Sequence, residues 1–157
     1  MDYLTLKWIH IVSSTFLFGT GVGSAFYKFL ADRSGNVQNI AQTNRHVVWA
    51  DWIFTTPSFV IQPLSGLMLL HVLGMPLTTP WVITSIALYV VTGICWLPVV
   101  FLQIRMRDVS AAADANSRAL PIHYWHLAQR WFWLGWIAFV AMVAIFYLMV
   151  HKPSLWL

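Results

Sequence analysis

Four stretches of this chain are apolar for longer than a bilayer is thick, and that limits the fold more than any other feature. A helix crosses the hydrocarbon in roughly 20 residues. Residues 3–30, 46–73, 81–104 and 122–150 all reach that length, the last around a charge-free core at 131–150. Composition excludes a water-soluble globule. The 157 residues are 59% hydrophobic and 9% charged, against about 45–50% and about 25% in soluble domains. There are also 10 tryptophans, a residue that favours membrane interfaces. The first stretch is read as a span and not as a signal peptide, because Asp2 precedes Lys7 and the apolar run continues to about Leu30.

The connections differ in charge. "ADRSGNVQNIAQTNR" (31–45) and "RMRDVSAAADANSRALP" (105–121) read as polar loops, the second with an Ala-rich part able to form a short surface helix. "GMPLTTP" (74–80) reads as a tight uncharged turn. Lys28, Arg33 and Arg45 flank the first connection, and Arg105, Arg107, Arg118 and Arg130 the third; the termini hold only Lys7 and Lys152. By the positive-inside rule, the first and third connections face the cytoplasm. The expectation is one transmembrane domain over residues 1–157: an all-α integral membrane four-helix bundle, up-down-up-down, with both termini outside. The net charge of +4 is scattered between apolar segments and marks no nucleic-acid surface. A single cysteine, Cys95, permits neither an intrachain disulfide nor a cysteine metal cluster.

Polar residues inside spans are costly, so each is a functional candidate. In "KWIHIVSSTFLFGTGVGSAF" (7–26), His10 lies about 10 Å below the start of its helix at 1.5 Å per residue. Helical spacing aligns it with Ser14, Leu17, Gly21, Ser24 and Lys28 on a small, polar stripe that should face the bundle. Gly19 and Gly23 make a GxxxG pattern, which serves helix packing. His10 is then either hydrogen-bonded to a neighbouring helix or a ligand.

The remaining histidines fall into two layers. His71 ends the second helix at the level of His10, while His46 and His126 begin the second and fourth helices at the opposite end. Facing histidines in a bundle hold a haem iron axially, and neutral imidazole also binds zinc or copper. In "RHVVWADWIFTTPSFVIQPLSG" (45–66), Asp51 needs a partner, for which Arg105 or Arg130 is expected. Pro57 and Pro63 interrupt the backbone ladder and free carbonyls that neighbours must satisfy, with a kink and a cavity beside Gln62 as the expected result. In "HYWHLAQRWFWLGW" (123–136), an arginine near histidine and aromatics suits a flat anionic ligand such as a porphyrin, a quinone or haem propionates.

"LKWIHIVSSTFLFGTGVGSAF", "RHVVWADWIFTTPSFVIQPLSG", "WLPVVFLQIRMRD" and "FYLMVHKP" resemble, over nearly the whole chain, a bacterial family of four-helix membrane proteins catalogued as domain of unknown function 2269. That resemblance implies a bacterial inner (cytoplasmic) membrane and no particular activity. "LKWIHIVSSTFLFG" and "AIFYLMVHKP" also resemble HemJ-type protoporphyrinogen oxidase, a small haem-b membrane protein, over about a third of the chain. This second resemblance implies that His10 is a haem ligand. Two departures keep the oxidase activity from transferring: the first helix ends "SAFYKFLADRSG", and no lysine lies within the third.

The leading expectation is therefore a haem-b-binding protein with an electron-transfer or porphyrin- or quinone-linked redox role. His10 and His71 would be the iron ligands. His46 and His126 would form a second pair or part of a quinone or porphyrin site, and Arg130 and Arg45 would hold propionates, with Lys7 as a further candidate. The alternative is a cofactor-free small transporter using Asp51 and Gln62, or a subunit or assembly factor of a larger membrane complex, either as such or as a homo-oligomer. No motif assigns a catalytic residue.

Overall fold

The computed structural model describes residues 2–153. It is an all-helical membrane bundle of α1 (Tyr3–Ser34), α2 (Val37–Val72), α3 (Pro80–Ala115) and α4 (Ile122–His151), each long and apolar enough to cross a bilayer. Neighbours in sequence are neighbours in space. The ring closes where Phe18 of α1 meets Phe139 and Phe146 of α4, at centroid distances of 5.5 and 5.2 Å.

The helices run further than the apolar stretches do. The Asp2 side chain caps α1, accepting from Thr5 N–H at 2.7 Å. Its other end closes on Gly35, whose φ of 65° lies in the left-handed region that glycine enters without strain. Asn36 follows at once as the cap of α2, accepting from Asn39 N–H at 3.0 Å. The loop expected over 31–45 thus shrinks to Gly35–Asn36. Hydropathy overlooked these turns because they are amphipathic: Ala31, Ile40, Ala41 and Asn44 are buried between polar neighbours. The Ala-rich segment is likewise the continuation of α3, not a separate surface helix, with Met106, Ser110 and Ala113 turned inward.

Proline shapes α2. The residues Asp51–Thr55 form a π turn in which Thr56 N–H reaches back five residues to Asp51 C=O. Pro57 follows directly. A proline ring crowds the carbonyl four residues earlier, and widening the ladder upstream is one way to relieve that. Pro63 lacks the N–H that would have bonded Phe59 C=O, and that carbonyl is taken instead by the hydroxyl of Tyr89 from α3. The Phe59 ring lies between Tyr89 and Trp96, stacked at 5.0 and 4.6 Å. It covers Gly93, where a Cβ would stand 3.1 Å from the ring. A freed carbonyl and an aromatic sandwich thus fasten α2 to α3 near mid-bundle.

The outside of the bundle is apolar, unlike that of a soluble protein. Trp8, Phe26, Ile53, Leu64, Phe101 and Val150 are among the large apolar residues that face out, where lipid solvates them. The inward face of α2 carries a series of buried polar residues, Asn44, Asp51, Thr55, Ser58, Gln62 and Ser65, beside the apolar Val47 and Val48. From Asn44 to Ser65 is about 32 Å at 1.5 Å per residue, close to the roughly 30 Å of the hydrocarbon layer.

Candidate functional site

The polar interior forms three groups. The first is nearer the turn that joins α2 to α3, and it answers what holds His10. The Nδ1 of His10 lies 2.9 Å from Ser65 Oγ. The Ser65 hydroxyl donates its only proton within its own helix, to Ile61 C=O at 2.7 Å. With the Ser65 proton on Ile61 C=O, its oxygen accepts an Nδ1–H, and in that tautomer the ring's lone pair is on Nε2. Gln62 Nε2 donates to His10 C=O and to Ser13 Oγ, both at 2.8 Å. Gly66 lets the ring approach: a Cβ there would stand 3.3 Å from His10 Cε1. The imidazole is thus fixed at one nitrogen and free of protein hydrogen bonds at the other.

The second group is Asp51. Its Oδ1 accepts from Trp96 Nε1 at 3.3 Å, and its buried Oδ2 has no hydrogen-bond partner. The π turn begins at this residue, and such turns recur at functional positions. The expected arginine partner is not there. Arg105 and Arg130 are exposed and line an outward groove between α3 and α4.

The third group, at the arginine-bearing end, ties all four helices together. Lys28 of α1 is 1% exposed. Its Nζ donates to Asp32 Oδ2 at 2.7 Å and to the Tyr124 hydroxyl of α4 at 3.0 Å. That hydroxyl donates to Asp32 Oδ1 at 2.7 Å. It also accepts from Asn44 of α2 at 3.0 Å, and Asn44 donates in turn to Ser110 of α3 at 3.0 Å. The rings of Tyr124 and Trp131 pack on the ammonium, with centroids at 5.2 and 5.4 Å. The charged groups of this clasp are each hydrogen-bonded, while the buried Trp131 Nε1 has no partner among the described residues.

The sequence-derived candidates are placed unevenly. Gln62 and Asp51 are buried and His10 is half-buried, and Gln62 is a hydrogen-bond donor to α1 where a cavity was expected. His71 is exposed and borders a groove of about 420 Å³ with Leu6 and Met68, and Leu6 lies one turn from His10 on α1. His46 and His126 are both exposed at the arginine-bearing end. Since Lys28 meets Tyr124 and Tyr124 meets Asn44, helix rise puts Arg130 about 18 Å and Arg45 about 27 Å from the level of His10. The structure therefore does not bring these arginines to the His10 ring.

On α1, Ser13 and not Ser14 meets the second helix; Ser14 bonds its own Ile11 C=O. Gly19, Gly21 and Gly23 have open space where a Cβ would be, so this part of the expected inward stripe does not pack within the bundle. Asp32, Asn44, Ser110 and Tyr124 are site residues the sequence reading missed. The available signal was the Lys28–Asp32 pair four apart, with Lys28 on the stripe of His10 and Leu17.

Fold and interior together define a multi-pass helical membrane protein with an apolar exterior and groups of polar residues within its core. The chain belongs to the family described as "Predicted integral membrane protein (DUF2269)", whose sequence pattern matches residues 4–153. No curated protein and no solved structure matches it.

Proposed function

We propose that this protein binds haem b in the bacterial cytoplasmic membrane, with His10 as an axial ligand and its arginine-bearing end toward the cytoplasm. The observation that carries this reading is the two-sided environment of His10. Its Nδ1 is anchored by Ser65 while Nε2 has no protein hydrogen-bond partner among the described residues. Metal-binding histidines divide their nitrogens in this way, one held by an outer-shell acceptor and the other on the metal. The close seat over Gly66 fixes the ring plane. His71, about 9 Å further along α2 from the Ser65 that holds His10, is the candidate second imidazole. Bound haem supplies one-electron chemistry. The protein's own part is to orient the imidazole and exclude water. Lys7, at the same end of α1 as His10, is the candidate cation for a propionate. His46, His126 and Arg45, exposed at the arginine-bearing end, are candidates for a separate quinone or porphyrin contact.

The test is the absorption spectrum of detergent-purified protein from cells supplied with haem, as isolated and after dithionite. A Soret band with sharp reduced α and β bands, lost in His10→Ala, is the expected result. A featureless visible region overturns the reading.

Asp51 favours a second reading, a path for protons or a small polar solute along the inward face of α2. Support comes from a buried carboxylate oxygen without a partner, within a series of buried polar residues as long as the hydrocarbon is thick. In proteoliposomes, Asp51→Asn would then abolish flux that His10→Ala leaves intact. Equal flux through wild type and Asp51→Asn would remove this reading.

A further inference from the structure

The groove between α3 and α4 combines two features that belong to one kind of ligand. Its volume is about 680 Å³, and its walls include Pro98, Phe101, Trp133 and Leu134. At one end stand Arg105 and Arg130, from facing helices. Leu97, at the other end, is eight residues from Arg105 on α3, so the apolar part is about 12 Å long at 1.5 Å per residue. Among the described residues, the ion pairs are Lys28–Asp32 and Arg107–Asp108, and no carboxylate neutralises either groove arginine. Two free guanidinium groups call for a charge-dense oxyanion, since their planar donor forks match phosphate geometry. The slot below them is too apolar for a wholly polar anion to use. It opens outward from the bundle, toward the lipid that covers the exposed Phe101 and Leu97.

We propose that this groove seats one anionic phospholipid of the surrounding bilayer, its phosphate between Arg105 and Arg130 and an acyl chain along Phe101 and Leu97. Trp133 flanks the slot at the interface depth its amphipathic ring favours. The site is independent of haem at His10, which lies well away along the bundle.

The test is native mass spectrometry of the full chain released from detergent after incubation with phosphatidylglycerol or phosphatidylcholine of identical acyl chains. The wild type should retain one phosphatidylglycerol with roughly tenfold preference, as two basic side chains at an anionic surface predict. Arg105→Gln/Arg130→Gln should bring retention down to the phosphatidylcholine level. Arg33→Gln/Arg118→Gln removes the same charge from the same end, outside the groove, and should leave the preference intact. Leu134→Trp narrows the slot without touching charge and should lower retention of both lipids. All of these positions except Leu134 are exposed, and retained helicity checks each fold. The proposal is overturned if the control pair lowers retention as much as the groove pair, which would mean diffuse surface attraction. It is equally overturned if inorganic phosphate displaces the lipid at the lipid's own concentration, which would mean that the apolar walls contribute nothing.

Discussion

The clasp at the arginine-bearing end gives a quantitative forecast. Asp32→Ala removes the acceptor of both Lys28 Nζ and the Tyr124 hydroxyl, now at 2.7 Å each. Lys28 is 1% exposed, so its ammonium is left with the Tyr124 oxygen and two ring faces. An uncompensated buried charge of that kind costs about 3–5 kcal/mol. Lys28→Met keeps the stem's packing and strands only the carboxylate of Asp32, whose side chain is 17% exposed. Partial solvation makes that loss smaller, about 1–3 kcal/mol. In the double variant Lys28→Met/Asp32→Ala no charge remains to strand, and Tyr124 still accepts from Asn44. It should lose only about 1–2 kcal/mol, less than Asp32→Ala alone. The assay is unfolding in detergent, followed by helicity or by intrinsic tryptophan fluorescence. Additive losses, or a double variant no better than Asp32→Ala, would refute the view that the clasp is held by charge compensation and not by shape.

Other positions make sharper, smaller claims. Gly93→Ala should destabilise by about 1–3 kcal/mol through overpacking, because its Cβ meets the stacked Phe59 ring at 3.1 Å; an unchanged unfolding midpoint would mean that Phe59 is free to move. Gly66→Ala sets a methyl 3.3 Å from His10 Cε1, so it should cost less stability yet shift the optical spectrum of any haem on His10, whereas loss of stability with an unmoved spectrum would argue against ligation. Gln62→Leu removes both donations to α1 and should cost about 1–3 kcal/mol, measured in the same unfolding assay. Gly19→Ala should be neutral, or stabilising by up to about 1 kcal/mol from helix propensity, since nothing lies within 4 Å of its Cβ position. If Gly19→Ala instead breaks up an oligomer in crosslinking, that glycine face is an intermolecular contact.

Much of the fold was legible because a bilayer imposes simple rules. Length and hydropathy locate four helices whatever they pack against, and short connections order them around a ring. The ends were harder, and the reason is physical. At the arginine-bearing end the helices continue as amphipathic turns, where a hydropathy window averages Ile40 and Ala41 with their polar neighbours and sees a loop. The local stop signals were present: Gly35 followed by Asn36 is a helix C-terminus against a helix N-cap. Proline was informative to the same degree. Pro63 announced a freed carbonyl at Phe59, but the sequence had no means of naming Tyr89, thirty residues on, as its donor.

The interior shows where single-sequence reading of such a protein stops. A residue's cost in lipid can be read from its type, so His10, Asp51 and Gln62 declared themselves. Whether that cost is met depends on partners from other helices, and these decide function. Lys28 looked like a topology signal because it is basic and near a helix end, yet its ammonium is taken up by Asp32, the Tyr124 hydroxyl and two ring faces. His10 looked similar in isolation, but its network closes on Nδ1 alone. Asp51 keeps an oxygen unpartnered. An unmet hydrogen-bonding demand inside a bundle persists only where something outside the protein's own atoms meets it or where function needs it. Gln103 Oε1 and Trp131 Nε1 are unmet in the same way, but neither group is ionisable; the unpartnered atoms of Asp51 and His10 belong to groups that can carry a proton or a metal, and both lie along the inward face of α2.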